Sequence, residues 1–192
     1  AENVDPPSNT RYFGEIFAAA TSSGSLEMVM TVLNHWDWDE GKPLLSVRYV
    51  HGVEAAAMAG HQHIVVKLLD FRGSLPKSSY DATIFRIVNT KHIAILYLLL
   101  SRRQQHLNLD AEKAFWMTLI RSSLQYNNRE LLQHIMSTDL STIEEATIAQ
   151  AVEHGCRMSH DDILRILLSK LASLQDRDPA LYTSALFWAC LL

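Results

Sequence analysis

The chain of 192 residues is poor in the features that most activities require. Cysteine occurs only twice, at Cys156 and Cys190, with no metal-ligand spacing. Two such residues build no disulfide framework and read as free thiols of an intracellular protein, cytoplasmic or nuclear. Seven glycines, scattered as turn residues, leave little for a loop that cradles phosphate. Basic residues cluster no further than Arg102-Arg103 and the net charge is -4, which counts against nucleic acid as a partner. The longest apolar run, Ile93 to Leu100, falls far short of the roughly 20 residues of a membrane-spanning helix, so no membrane partner is expected. The first residues, Ala1 to Pro7, have no basic start followed by an apolar stretch and do not read as a signal peptide; a leader removed ahead of Ala1 is compatible with the same start. No nucleophile elbow and no zinc-protease pair of histidines occurs, so the expectation is a noncatalytic protein with no catalytic residue, cofactor or metal.

What the chain does have is a recurring pattern of two apolar residues, two others, and two more apolar residues. The copies are Met28-Val29/Val32-Leu33, Ile64-Val65/Leu68-Leu69, Ile93-Ala94/Tyr97-Leu98, Leu131-Leu132/Ile135-Met136 and Ile163-Leu164/Leu167-Leu168. Their mean spacing is about 34 residues, inside the window of stacked repeat architectures. Each copy places its apolar side chains on one face of a helix. Apolar content of 48% with 20% charged residues suits a chain that fills a core.

A partner helix precedes each patterned one. In the first unit it contains Phe17-Ala18-Ala19-Ala20 and turns at Gly24; in the second it runs from about His51 to Ala59 and turns at Gly60. Pro43, Pro76 and Pro179 fall between the patterns and mark breaks. Later turns are expected near Asn89, near Asn127-Asn128 and at Gly155, asparagine being the side chain that best tolerates a left-handed backbone. Asp161-Asp162 is expected to open the last patterned helix, where acids suit the positive end of the helix dipole. Ser141 and Glu144 have capping-box spacing ahead of the fifth unit's first helix.

The stretch Ala55-Ala-Ala-Met-Ala-Gly-His-Gln-His-Ile-Val-Val-Lys-Leu-Leu69 resembles an ankyrin repeat, and Ser184-Ala-Leu-Phe-Trp-Ala-Cys190 resembles the opening of another. The threonine-proline start of that family is absent throughout, and the glycine and asparagine pattern of its hairpin fingers is missing, so irregular loops are expected in place of regular hairpins. The resemblance implies an all-α, ankyrin-like helical repeat solenoid of about five helix pairs plus a terminal helix. It would span residues 11–192 behind a flexible lead at residues 1–10. It also implies a protein–protein interaction module that binds a protein or peptide on its concave face; separately, a monomer is expected. Two alternatives stand beside it: the adaptor segment of a larger enzyme, and a secreted or translocated effector built on the same scaffold.

Candidate contact residues follow from both lines. Trp36-Asp37-Trp38-Asp39-Glu40 pairs large aromatic area with charge, a composition that suits a binding hot spot, and the resemblance places it in a finger beside the groove. The alternative is a tryptophan that caps the core edge. The acids and the net negative charge point to a basic patch on the partner. By position in the resemblance, Glu54, Arg121, Gln150 and Trp188 would face the groove. Trp188 fits either a capping role or cover by a further unit.

The nine histidines invite a metal-binding reading. Aligned on the apolar pattern, His63 and His92 fall in one column with Glu27, Glu130 and Asp162. Such a column repeats at about 8–10 Å between stacked helices, too far to share an ion held at about 2 Å. His61 matches a structural turn histidine of the family. Ile93 to Leu100 has almost no polar face, which fits either deep burial or a docking patch at Leu96, Leu99 or Leu100.

Overall fold

A computed structural model of the chain describes residues 9–35, 43–72, 75–103, 109–137, 145–157, 161–172 and 183. The described residues contain ten α-helices and no strand, so the all-α expectation holds. The expected lead at residues 1–10 lies mostly outside them, α1 opening at Asn9.

The chain divides into two compact units, Ala1–Arg103 and Gln104–Leu192. The first holds α1 (Asn9–Ser22), α2 (Leu26–His35), α3 (Pro43–Met58), α4 (Gln62–Arg72), α5 (Lys77–Ile87) and α6 (Ile93–Arg102). Successive helices pair as α1 with α2, α3 with α4 and α5 with α6. Each odd helix packs on the next odd one and each even helix on the next even one, which makes two layers. The second unit holds α7 (Leu109–Gln125), α8 (Arg129–Ser137), α9 (Glu145–Arg157) and α10 (Asp161–Ala172). It repeats the scheme: α7 pairs with α8 and α9 with α10, while α7 packs on α9 and α8 on α10.

The turns inside the pairs have identifiable chemistry. Gly60 takes φ 82° and ends α3 with two bonds, His61 N–H to the Ala56 carbonyl (2.9 Å) and Gly60 N–H to Ala57 (3.2 Å). This left-handed cap costs a glycine little because no Cβ crowds the following carbonyl. Gly24 has φ 81° at the corresponding place. Asn127, at φ 51°, makes the same two bonds after α7, from Asn128 N–H to Ser123 (2.8 Å) and from Asn127 N–H to Leu124 (3.1 Å). Its neighbour Asn128 then accepts the Leu131 N–H on Oδ1 at 3.1 Å and caps α8. Ser25 caps α2 in the same way through the Met28 N–H, at 3.3 Å.

Three expected details differ. Asn89 does not adopt a left-handed backbone: the α5–α6 turn is held by Thr90, whose hydroxyl donates to the Ile87 carbonyl at 2.6 Å. Gly155 is no turn either. It lies inside α9, where an added Cβ would come within 3.1 Å of Leu164, so its smallness serves the close approach of α10. The inner helix of the second unit starts at Pro43, eight residues before its expected start at His51. Proline suits a first helical turn, where its missing N–H has no partner to lose.

The patterned helices bury the expected faces where polar residues fix their phase. Ile64, Val65, Leu68 and Leu69 of α4 are all buried, as are Leu131, Leu132, Ile135 and Met136 of α8. At about 1.5–3 kcal/mol per large apolar side chain, each quartet is a major source of cohesion. In α6 the buried residues are Ile95, Leu96 and Leu99, two positions on from the pattern read at Ile93, while Ala94 is exposed. Burial thus accounts for Leu96 and Leu99, which offer no docking surface.

Histidine and aromatic side chains tie the first unit's pairs together. The rings of His61 and His92 lie over Gly24 and Gly60, the turn glycines of the preceding pairs; a Cβ on either glycine would fall within 2.7 Å and 2.5 Å of them. The equivalent histidines are therefore His61 and His92, correcting the column of His63 with His92. His61 Nε2 lies 2.9 Å from the Ser22 carbonyl and His63 Nε2 lies 3.2 Å from that of Gly24, so both bridge back to the first pair. Phe17 of α1 stacks between Phe13 (5.5 Å) and Tyr49 of α3 (5.9 Å), and Gly52 leaves room for its ring. The Tyr49 hydroxyl donates to the Leu68 carbonyl, joining α3 to α4. Among the described residues an ion pair in each layer links the second and third pairs: Glu54 with Arg86 at 2.6 Å between α3 and α5, Asp70 with Arg102 at 3.0 Å between α4 and α6.

Candidate functional site

The second unit contains a cavity of about 430 Å³ between α7 and α9. Helix α7 contributes Met117, Ile120, Arg121 and Leu124, which follow the i, i+3, i+4, i+7 spacing of one helical face. Helix α9 contributes Gln150, Ala151, Glu153 and His154 on the same principle. The neighbouring faces meet because α7 packs directly on α9 within the odd layer.

The site has an apolar floor and a polar rim. Ile120, Leu124 and Ala151 are buried, Met117 is half-buried, and Arg121 and Gln150 are exposed above them. Glu153 and His154 stand half-buried at the α9 side. The Leu124 carbonyl accepts the Asn127 N–H at 3.1 Å, within the cap that ends α7. The guanidinium of Arg121 offers five donors in a fixed plane, while the Gln150 amide both donates and accepts. Such a rim orients a peptide group or carboxylate while the floor receives an apolar side chain, the usual division of labour in a binding pocket. The lining contains no serine, threonine, cysteine, lysine or tyrosine. Glu153 and His154 are adjacent on one helix, a spacing at which side chains diverge.

Two of the residues expected at a groove, Arg121 and Gln150, thus line the same cavity. Glu54 stands elsewhere, half-buried on α3 and paired with Arg86. Trp36, Asp37, Trp38, Asp39 and Trp188 lie outside the described residues, as do Ser141 and Glu144. Reasoning from sequence missed Met117, Glu153 and His154. The signal was available, since these lie one helical turn from Arg121 or Gln150, but only the packing of α7 on α9 says which turn faces the cavity.

No group of three or more histidine, cysteine, aspartate or glutamate side chains that could hold a metal occurs among the described residues, and none of their helices is long and apolar enough to cross a membrane. Comparison of the chain with protein-family models, curated proteins and solved structures gave no match.

Proposed function

We propose that the chain is a noncatalytic protein-interaction module of ankyrin-like build, working as a monomer in the cytoplasm or nucleus. It would be a helical repeat solenoid of about five helix pairs plus a terminal helix that binds a protein or peptide on its concave face. The pairwise, two-layered packing inside each unit supports this architecture. One observation carries the function: Arg121 and Gln150, on consecutive odd helices, share a cavity with an apolar floor. That cavity would take one side chain of the partner and hold its backbone at the rim, while Trp36, Asp37, Trp38 and Asp39 would add aromatic and acidic contacts. Glu54 and Trp188 complete the proposed contact set.

The test is quantitative affinity capture from native extract with the wild-type chain, the Arg121→Ala/Gln150→Ala double variant and the Trp36→Ala/Trp38→Ala double variant. Proteins retained by the wild type should fall by at least about tenfold with the first variant, equivalent to about 1.4 kcal/mol, at unchanged helicity. The same proteins retained equally by all three chains would refute the reading.

A further inference from the structure

The first helix pair bears an apolar face whose counterparts on the following pairs are covered. Aligning the turns at Gly24 and Gly60 matches Tyr12 with Arg48, Ile16 with Gly52, Met28 with Ile64 and Val32 with Leu68. In the second pair all four positions serve the interface or the core: Arg48 lies against Gly14, Gly52 against the Phe17 ring, and Ile64 and Leu68 are fully buried. The corresponding residues of the third pair, Ile95 and Leu99, are buried as well. On the first pair the exposures are 60% for Tyr12, 53% for Ile16 and 52% for Met28, and Val32 is only half-buried. Between α1 and α2 this face opens into a cavity of about 220 Å³ bounded by Phe13, Ile16, Thr31, Val32 and His35. A repeat face that rests in water presents polar side chains; this one presents the stacking surface.

The surrounding polar groups say what would cover it. Glu27 stands where the second pair has His63, and Ser25 where it has His61, the two residues that reach back to carbonyls of the pair before. Ser25 turns its hydroxyl to its own helix, and Glu27 brings an acceptor. With Glu15 also exposed one turn from Tyr12, two carboxylates stand on the rim beside the polar Thr31 and His35 and give it its only fixed charges among the described side chains there. An occupant must therefore supply donors or cations. Two copies of this face brought together would set acid against acid, which disfavours self-pairing.

We propose that this face docks an amphipathic helix from another protein, continuing the pair-on-pair interface by one step. The incoming helix seats a phenylalanine or leucine in the cavity, as Phe17 seats against Gly52, and flanks it with lysine or arginine opposite Glu15 and Glu27. The site is separate from the α7–α9 cavity and stands or falls independently of it.

The probe is a fluorescein-labelled helical peptide of about 16 residues, built from alanine, leucine and lysine around one central phenylalanine. Fluorescence anisotropy with the full chain should show saturable binding that weakens with added salt. Ile16→Asp or Val32→Asp should weaken it by at least about tenfold, as should exchanging the peptide's lysines for glutamates. Because Ile16 is exposed, the thermal melt of Ile16→Asp should match the wild type. Absence of saturable binding up to about 1 mM peptide, or binding indifferent to both aspartate variants, would overturn the proposal. So would sedimentation that shows a wild-type dimer abolished by Ile16→Asp, since the face would then belong to a second copy of the chain.

Discussion

Adding one carbon atom at Gly52 should destabilise the protein when Phe17 is present and stabilise it when Phe17 is absent. Gly52 lies inside α3, where an added Cβ would fall 2.5 Å from Cδ1 of Phe17 and closer still to Cε1. Ordinary carbon contacts lie at about 3.5–4.0 Å, so the ring would have to move by about 1 Å. It is fully buried and stacked between Phe13 and Tyr49, which pass the displacement on. Overpacking of this kind costs about 1–3 kcal/mol, and so confined a ring belongs near 3. Replacing a mid-helix glycine by alanine returns about 1 kcal/mol, leaving Gly52→Ala about 2 kcal/mol destabilising. Phe17→Ala alone should cost about 3–5 kcal/mol. In that background the clash is gone, and Gly52→Ala should stabilise by about 1 kcal/mol. The coupling energy is then about 3 kcal/mol, measurable from urea midpoints of the four chains followed by far-UV circular dichroism. If Gly52→Ala shifts stability equally in both backgrounds, to within about 0.5 kcal/mol, the α1–α3 interface does not close through this ring.

Two further contrasts probe the other links. Arg103 and Asp81 form an ion pair at 2.5 Å with the arginine side chain 2% exposed, whereas Arg102 and Asp70 meet at 3.0 Å with both partners about half exposed. Arg103→Ala takes a buried cation away from a half-buried carboxylate and should cost about 2–3 kcal/mol in urea unfolding, while Arg102→Ala should cost under about 1 kcal/mol; equal effects would remove burial as the deciding variable. Gly60→Ala forces a side chain to φ 82° and into the His92 ring, and should lower stability by at least about 1–2 kcal/mol. At Gly155 the backbone is helical and the nearest atom is the mobile end of Leu164 at 3.1 Å, so Gly155→Ala should come out within about 1 kcal/mol of the wild type. Thermal melts that rank the two glycines the other way would contradict the assignment of Gly60 to a left-handed cap.

How much of the helical framework could be read in advance depended on polar punctuation. In α4 the apolar run is broken at Lys67 and flanked by His63 and Asp70, so the phase that hides Ile64, Val65, Leu68 and Leu69 leaves all three polar residues in water, and that phase is the one found. Helix α6 has no such markers between Ile93 and Leu100; every phase is equally apolar, so the pattern read at Ile93 lies two residues ahead of the buried face. The pair of asparagines at 127 and 128 announced a turn correctly because each does a different job there, one in the left-handed cap and one at the next helix start. Asn89 and Gly155 carried the same residue types without the same duties.

Local sequence alone determined that this chain is helical, roughly where most helices break, and which faces of α4 and α8 turn inward, because periodicity and turn chemistry act within a few residues. Contacts between residues distant in the chain were decided only by tertiary structure. Packing of α7 on α9 brought Arg121 and Gln150 to one cavity and added Met117, Glu153 and His154 to it. Packing of α1 on α3 covered Gly52 and left its counterpart Ile16 in water, since a stacking surface is closed by its neighbour and not by its own side chains.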